Sequence, residues 1–323
     1  MKKKKIFKWT LIAIPLLLVV FVTFIIGSSY FEHRKLVAEE KNKYPAPGNL
    51  VEIDEDGTNL HVYTEGESNE GKETLVFMSG LGTSSPVYDF QVLYNKLSND
   101  YRIAVVERAG YGWSDISSSP RDVDTVLEET RRALKLAGES PPYVLFPHSL
   151  AGLEAFHWAN LYPEEIKTII GLDSLVPGYY QQSEEKTSLS HLITLLTRTG
   201  LVRHQPDVFA NNFHAMKKGH LSENEAEIAR TIFYRRVQTK NMWEEVDMVE
   251  TNSQTVIEQG KPDVPFHAFI SAENEDELWE DSITDYVEAT NGEYFILEGD
   301  HYIHLDYPEL IAEKSRKLIE ESN

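Results

Sequence analysis

The chain has 323 residues, with 31 Lys+Arg against 52 Asp+Glu and a formal charge of −21. That acidic balance excludes a general nucleic-acid binder, which needs cationic surface to displace counterions. Hydrophobic residues make up 41% and cysteine is absent, so wholesale disorder, a disulfide frame, a thiol nucleophile and a Cys-ligated metal are excluded too.

The first thirty residues differ from the rest. Lys2 to Lys5 and Lys8 precede an uncharged run from Trp9 to Tyr30. As a helix this run spans about 33 Å, enough for a hydrocarbon core of ~30 Å. Pro15 lies inside it, and proline is tolerated in membrane helices. The expected order is a basic cytoplasmic tail (1–8), a transmembrane anchor (9–30) and a tether (31–48) ending in Tyr44-Pro-Ala-Pro-Gly48. The Lys cluster keeps the N-terminus cytoplasmic and puts residues 31–323 outside. The competing reading is a cleaved, secreted form. Gly27, Ser28 and Ser29 are small enough for a peptidase, but no A-x-A occurs and the apolar run exceeds a signal's h-region.

Beyond the tether, strand and helix signals alternate. Val51–Asp54 and Leu60–Tyr63 flank Asp56-Gly57 as a hairpin. Thr74–Met78 is a short apolar strand, followed by helical spacing over Val87–Leu97. A strand at Tyr101–Glu107, a helix at Asp122–Leu136, a strand at Tyr143–Phe146, a helix at Leu150–Leu161 and a strand at Thr168–Leu172 continue the series. Such alternation implies βαβ units and a buried, mostly parallel, doubly wound sheet.

The rhythm breaks from Pro177 to Lys261. That stretch is helix-like, with Leu189, Leu192, Ile193 and Leu196 along one face and a Ser222/Glu225 capping box. It resumes with a strand at Pro265–Ile270, a helix near Leu278–Ala289, a strand at Glu293–Leu297 and a last helix at Pro308–Ile319. The organisation read from this is one α/β core (49–176 and 262–323) carrying a helical cap (177–261).

Phe146-Pro147-His148-Ser149-Leu150-Ala151-Gly152 joins a strand to a helix. A Ser there fits the nucleophile-elbow pattern, in which a tight turn projects Oγ and the next amide, Leu150, can hold an oxyanion. Pro147 and Ala151 stand where that pattern has glycines. The same Ser also reads as an ordinary helix N-cap.

Three further segments occur in the matching order, and with them the chain resembles the α/β-hydrolase superfamily, in its capped, esterase/lipase-like branch, over roughly residues 50–320. Ser79-Gly80-Leu81-Gly82 resembles the family's His-Gly loop, with Ser79 in place of His. Glu107-Arg108-Ala109-Gly110-Tyr111-Gly112-Trp113-Ser114-Asp115 resembles its Asp-x-x-Gly-x-Gly-x-Ser segment, and Gly299-Asp300-His301, followed by Asp306 and Pro308, resembles its late histidine loop. The resemblance implies an eight-stranded-type sheet, Ser149 as nucleophile, His301 as general base, the Leu81 amide as second oxyanion donor, and His304 as a structural or pocket-lining neighbour. For the acid it offers two places. One is Asp173, ending the Thr168–Leu172 strand; the other is the Glu273–Asp276 cluster around Asn274, with Glu273 and Asp276 as alternatives. Asp173 is preferred, because a carboxylate ending an apolar strand needs a partner.

What this implies is a membrane-anchored serine hydrolase that cleaves an ester or lipid through an acyl-enzyme, without cofactor or metal. A serine rather than an aspartate nucleophile argues against the family's dehalogenase and epoxide-hydrolase branches. An aminopeptidase is the alternative activity, with Glu184, Glu185, Glu223 and Glu225 as candidate amine-binding acids. An inactive hydrolase fold serving as scaffold is the alternative of another class. Gly66–Lys72 lacks the Ser/Thr of a phosphate loop, and His301/His304 lack a third metal ligand in the motif.

Overall fold

A computed structural model describes residues 2–67, 73–183, 187–274 and 276–322. Eight strands form one sheet: β1 (Asn49–Glu52), β2 (Asn59–Glu65), β3 (Thr74–Met78), β4 (Arg102–Glu107), β5 (Tyr143–Ser149), β6 (Ile166–Ser174), β7 (Phe266–Ser271) and β8 (Tyr294–Leu297). Their spatial order is β1-β2-β4-β3-β5-β6-β7-β8. β1–β2 and β2–β4 pair antiparallel, and every pair from β4 to β8 is parallel.

Parallel strands need crossover helices, and those helices cover both faces. Accordingly β3 and β7 are buried at every residue. The period of two sorts β3 into two cores. Val76 and Met78 pack with Phe156 and Trp158 on one face. Leu75 and Phe77 pack with Phe90, Leu93 and Ile311 on the other. The helices that carry these partners are α2 (Pro86–Leu97), α4 (Ala151–Leu161) and, at the end of the chain, α13 (Pro308–Glu321); α3 (Val123–Leu136) joins the first core through Leu127 and Leu134.

Between β6 and β7 the described residues form six helices: α5 (Tyr179–Gln182), α6 (His191–Arg198), α7 (Pro206–Asn212), α8 (His214–Lys217), α9 (Glu223–Arg236) and α10 (Lys240–Gln259). A 3-10 turn, Leu201–His204, sits between α6 and α7. The Ser222/Glu225 capping box opens α9 as the spacing predicts. These helices have their own apolar centre, where Phe209, Phe213, Ile232 and Phe233 meet Tyr88 of α2. After β7 come α11 (Glu277–Ala289) and, beyond β8, α12 (Ile303–Asp306).

The N-terminal segment departs from the expected plan. α1 runs unbroken from Lys2 to Lys43, through the stretch read as a tether, and is long and apolar enough to cross a membrane. The charged residues from Glu32 to Lys43 stay helical because they have partners. Arg203 donates to both carboxylate oxygens of Glu40 at 2.7 and 2.8 Å and to His33 Nδ1 at 2.8 Å. Lys43 and Tyr44 both reach Glu227 of α9. Only the Pro/Gly-rich residues after Lys43 leave the helix.

Candidate active site

β5 ends on Ser149, whose φ is +52°, a left-handed conformation that few non-glycine residues adopt. α4 begins two residues later. The strained residue at a strand-to-helix corner is therefore Ser149, as an elbow requires and a plain N-cap does not. Pro147 is accommodated inside β5, opposite Met78 of β3. The loop after β3 comes unusually close to this corner. A Cβ on Gly80 would stand 2.7 Å from Ser149 Cβ, so only glycine permits the approach.

His301 lies in the turn between β8 and α12. Its Nδ1 is 2.6 Å from Asp173 Oδ2, and the Asp173 side chain is fully buried. The other carboxylate oxygen accepts from the Ser271 amide and from Trp279 Nε1, both at 3.0 Å. Three donors thus satisfy a buried charge that would otherwise be very costly. They also fix the histidine tautomer: Nδ1–H donates to Asp173, which leaves Nε2 to accept a proton. Asp173 has a left-handed φ of +47°, at the end of β6.

Ser149 and His301 line one open cleft of about 300 Å³, together with Leu81, Leu150, Asp276 and Trp279. The two alternative acids do not contact His301 as Asp173 does. Asp276 reaches the cleft, but it caps α11 by accepting from Leu278 N and takes a hydrogen bond from Tyr179 at 2.6 Å. Glu273 is solvent-exposed. Neither has the contact with His301 that Asp173 has, for a physical reason: the His301 ring faces the end of β6, not the loop after β7.

The remaining candidates divide simply. His304 is fully buried behind the cleft, against Phe90 and 3.6 Å from Asp89, so it is structural rather than pocket-lining. Glu225 is spent on the capping box and on Gln91, and Glu223 begins the same helix; neither lines the cleft. Glu184 and Glu185 lie outside the described residues.

Sequence reasoning missed several supports. Ser271 and Trp279 complete the Asp173 cage. His148, buried beside Ser149, donates from Nε2 to the His301 carbonyl at 3.0 Å; burial, then the neighbouring His301 and His304, hold its pKa well below the ordinary value. Arg108 donates to the Ser79 carbonyl at 2.6 Å and forks onto Glu245 of α10. The one signal available was the Glu107–Asp115 segment, whose Glu107 carboxylate folds it by accepting from the Trp113 amide and facing His61.

The family model described as alpha/beta hydrolase fold matches residues 73–316. The chain belongs to the α/β-hydrolase fold family. YbdG, an uncharacterized protein of Bacillus subtilis strain 168, is 39% identical over 223 residues, which are 68% of this chain and 66% of that one. YqjL from the same strain is 30% identical over 118 residues, 36% of this chain and 45% of YqjL. The chain thus spans just under two thirds of one of these relatives and under half of the other.

Among solved structures, the hydrolase fold is shared with the enol-lactonase of Burkholderia xenovorans LB400 (TM-score 0.58, 14% identity, 84% of this chain and 100% of that one). It is shared too with an epoxide hydrolase of Vigna radiata (TM-score 0.60, 17%, 84% and 97%). At these identities the likeness is one of fold alone. Neighbours of one shape act on different bonds, so the choice of reaction rests on the residues at the site.

Proposed function

We propose that this chain is a membrane-anchored serine hydrolase that cleaves a carboxylic ester, with Ser149, His301 and Asp173 as its triad. The observation that carries the reading is the 2.6 Å contact between His301 Nδ1 and the buried Asp173, with a strained Ser149 on the same cleft. A serine at the elbow forms an acyl-enzyme, which a dehalogenase or epoxide hydrolase built on a carboxylate nucleophile does not.

The chemistry follows from the arrangement. His301 Nε2 takes the Ser149 Oγ proton as Oγ bonds to the carbonyl carbon. The displaced electron pair moves onto the carbonyl oxygen, held by the Leu81 and Leu150 amides. Collapse breaks the C–O bond, and His301 returns its proton to the leaving alcohol. Water then repeats the sequence: His301 takes its proton, hydroxide attacks the acyl carbon, and Ser149 leaves with the proton restored. Asp173 stays ionised throughout and stabilises the imidazolium.

The same reading places α1 across the membrane, with the Lys cluster cytoplasmic and the folded part outside. Protease added to intact cells should then degrade the folded part, and the chain should keep its full length in the membrane fraction. A chain resistant in intact cells, or shortened near Ser29, overturns the topology.

An alkyl fluorophosphonate tests the chemistry. Its phosphorus bonds to an activated Ser oxygen as fluoride leaves. Wild type should label covalently and Ser149→Ala should not. A folded wild type that stays unlabelled favours the inactive scaffold instead. A panel of ester and N-terminal amide substrates separates an esterase from an aminopeptidase.

A further inference from the structure

α1 and the helices inserted after β6 meet where the apolar run ends. From Trp9 to Tyr30 no side chain is charged, and at about 1.5 Å per residue this run uses up the ~30 Å of hydrocarbon near Ser29. A Cβ added to Gly200 would stand 2.4 Å from His33 Cβ and 3.1 Å from the Ser29 carbonyl. Gly200 has a left-handed φ of +76°. The Arg203 fork onto Glu40 and His33, barely reached by solvent, locks the contact. The end of α6, two residues before Gly200, is therefore held at a fixed height on α1.

α6 has two unlike faces. Thr194 and Thr197 are buried, Thr194 bonding Gln238 and Trp243. The opposite face shows Leu192, Ile193 and Leu195 to the outside, 64%, 43% and 52% exposed. Among the described residues no other element outside α1 exposes three large apolar side chains. Scattered single exposures need no account, but a cluster on one short helix does. Arg198, exposed in the last turn of α6, is a cation of the kind that meets lipid phosphate.

We propose that this face of α6 lies in the headgroup region of the bilayer that α1 crosses, as a second, interfacial contact with lipid. The proposal rests on the reading of α1 as a membrane anchor. Position and size both select lipid over protein. The patch ends at Leu195, five residues before Gly200, which meets α1 at Ser29 and His33, where α1 leaves the hydrocarbon. A helix of eight residues, about 12 Å long, offers far less than the roughly 800 Å² per partner of a stable protein interface. Thr187, four residues before α6, lines the cleft with Ser149 and His301.

The absence of native cysteine makes the test direct. Leu192→Cys and Leu195→Cys, each labelled with the environment-sensitive fluorophore NBD, are placed in the full chain and reconstituted in vesicles of phosphatidylcholine with a minor share of phosphatidylglycerol. A lipid with a nitroxide near the glycerol end of its acyl chain serves as quencher. Phe24→Cys reports on α1 and Lys317→Cys, on α13, on a surface away from α6. Both α6 positions are exposed, so melts should match the parent. We expect quenching at 192 and 195 of at least roughly half that at 24, and none at 317. Quenching at 24 without quenching at 192 and 195 overturns the α6 contact while the anchor stands. Absence of quenching at 24 removes the anchor, and the α6 contact falls with it. A blue-shifted α6 label that is not quenched and reverts on dilution with empty vesicles means that a second copy covers the face, which also overturns the proposal.

Discussion

Arg108 joins the Ser79 carbonyl to Glu245: Nη1 donates to the first at 2.6 Å, and Nε and Nη2 reach the second at 3.1 and 3.2 Å. Ser79 precedes Gly80 and Leu81, so one buried guanidinium holds both the loop that offers a candidate oxyanion amide and the long helix α10. Removing one oxyanion donor outright costs about 10²–10³ in kcat. Arg108→Lys keeps the charge but loses the fork, so the Leu81 amide should loosen rather than vanish. The expected result is a fall in kcat of roughly ten- to a hundredfold with KM little changed, read with a chromogenic ester. A loss confined to melting temperature, with kcat intact, would make the contact purely structural.

The acid of the proposed triad is tested by a pair of variants. Asp173→Asn removes the charge beside His301 and favours the wrong tautomer, so kcat should drop by about 10⁴-fold. Asp276→Asn keeps an amide oxygen that can accept from Leu278 N and should cost about tenfold or less in kcat, with little loss of stability, since asparagine caps a helix about as well as aspartate. Thermal melts run beside both assays, because Asp173 is caged by Ser271 and Trp279 and its loss also affects folding. A large kcat effect for Asp276→Asn and a small one for Asp173→Asn would transfer the role.

Glu154 gives a pH signature unrelated to the proposed triad. Burial, opposed by Arg108 and the Thr130 hydrogen bond, pushes its pKa from 4.5 up to about 7. In that window the folded chain holds a proton that the unfolded chain has released, so stability falls as pH rises. The contribution is fully present below pH 4.5 and gone above about pH 7. Its size is on the order of a few kcal/mol. Glu154→Gln cannot titrate. The stability of wild type relative to this variant should therefore decline between those limits and stay flat outside them, by denaturant melts at several pH values. A flat difference across the window would mean that Arg108 keeps Glu154 ionised throughout.

How much of this was readable beforehand depends on the distance of each residue's partners. The α/β alternation from Thr74 to Leu172 was legible because parallel strands buried on both faces are nearly unbroken apolar runs. The elbow was legible because a strand, a Ser and a helix are local. For the acid the sequence supported only a preference, Asp173 over Glu273 and Asp276, because the donors that make a buried Asp173 tolerable, Ser271 and Trp279, lie 98 and 106 residues further on. Glu32–Lys43 read as a tether for the same reason: a charged stretch shows no partner in sequence, and Arg203 lies 163 residues beyond Glu40. Pro147 counted against the elbow only while its place inside β5 was unknown.

Gly200 tests whether that distant contact sets the helix in place. Alanine there meets two obstacles: a left-handed φ, which costs roughly 1 kcal/mol, and His33 Cβ at 2.4 Å from the new Cβ. The second cannot relax without moving α1 or the Leu201–His204 turn, since both belong to helical backbone. Gly200→Ala should lower the stability of the inserted helices by about 1–3 kcal/mol and speed amide exchange in residues 29–43. Exchange at β5 and β6 should stay as in wild type, because the sheet does not touch this junction. Lowering the pH should act in the same direction. Burial and Arg203 hold the His33 pKa down at about 4, against 6.5 when free, so the contribution is present above pH 6.5 and lost as pH falls through about 4. Exchange in residues 29–43 that is as slow in Gly200→Ala as in wild type would mean that α1 keeps its place without the close approach at Gly200.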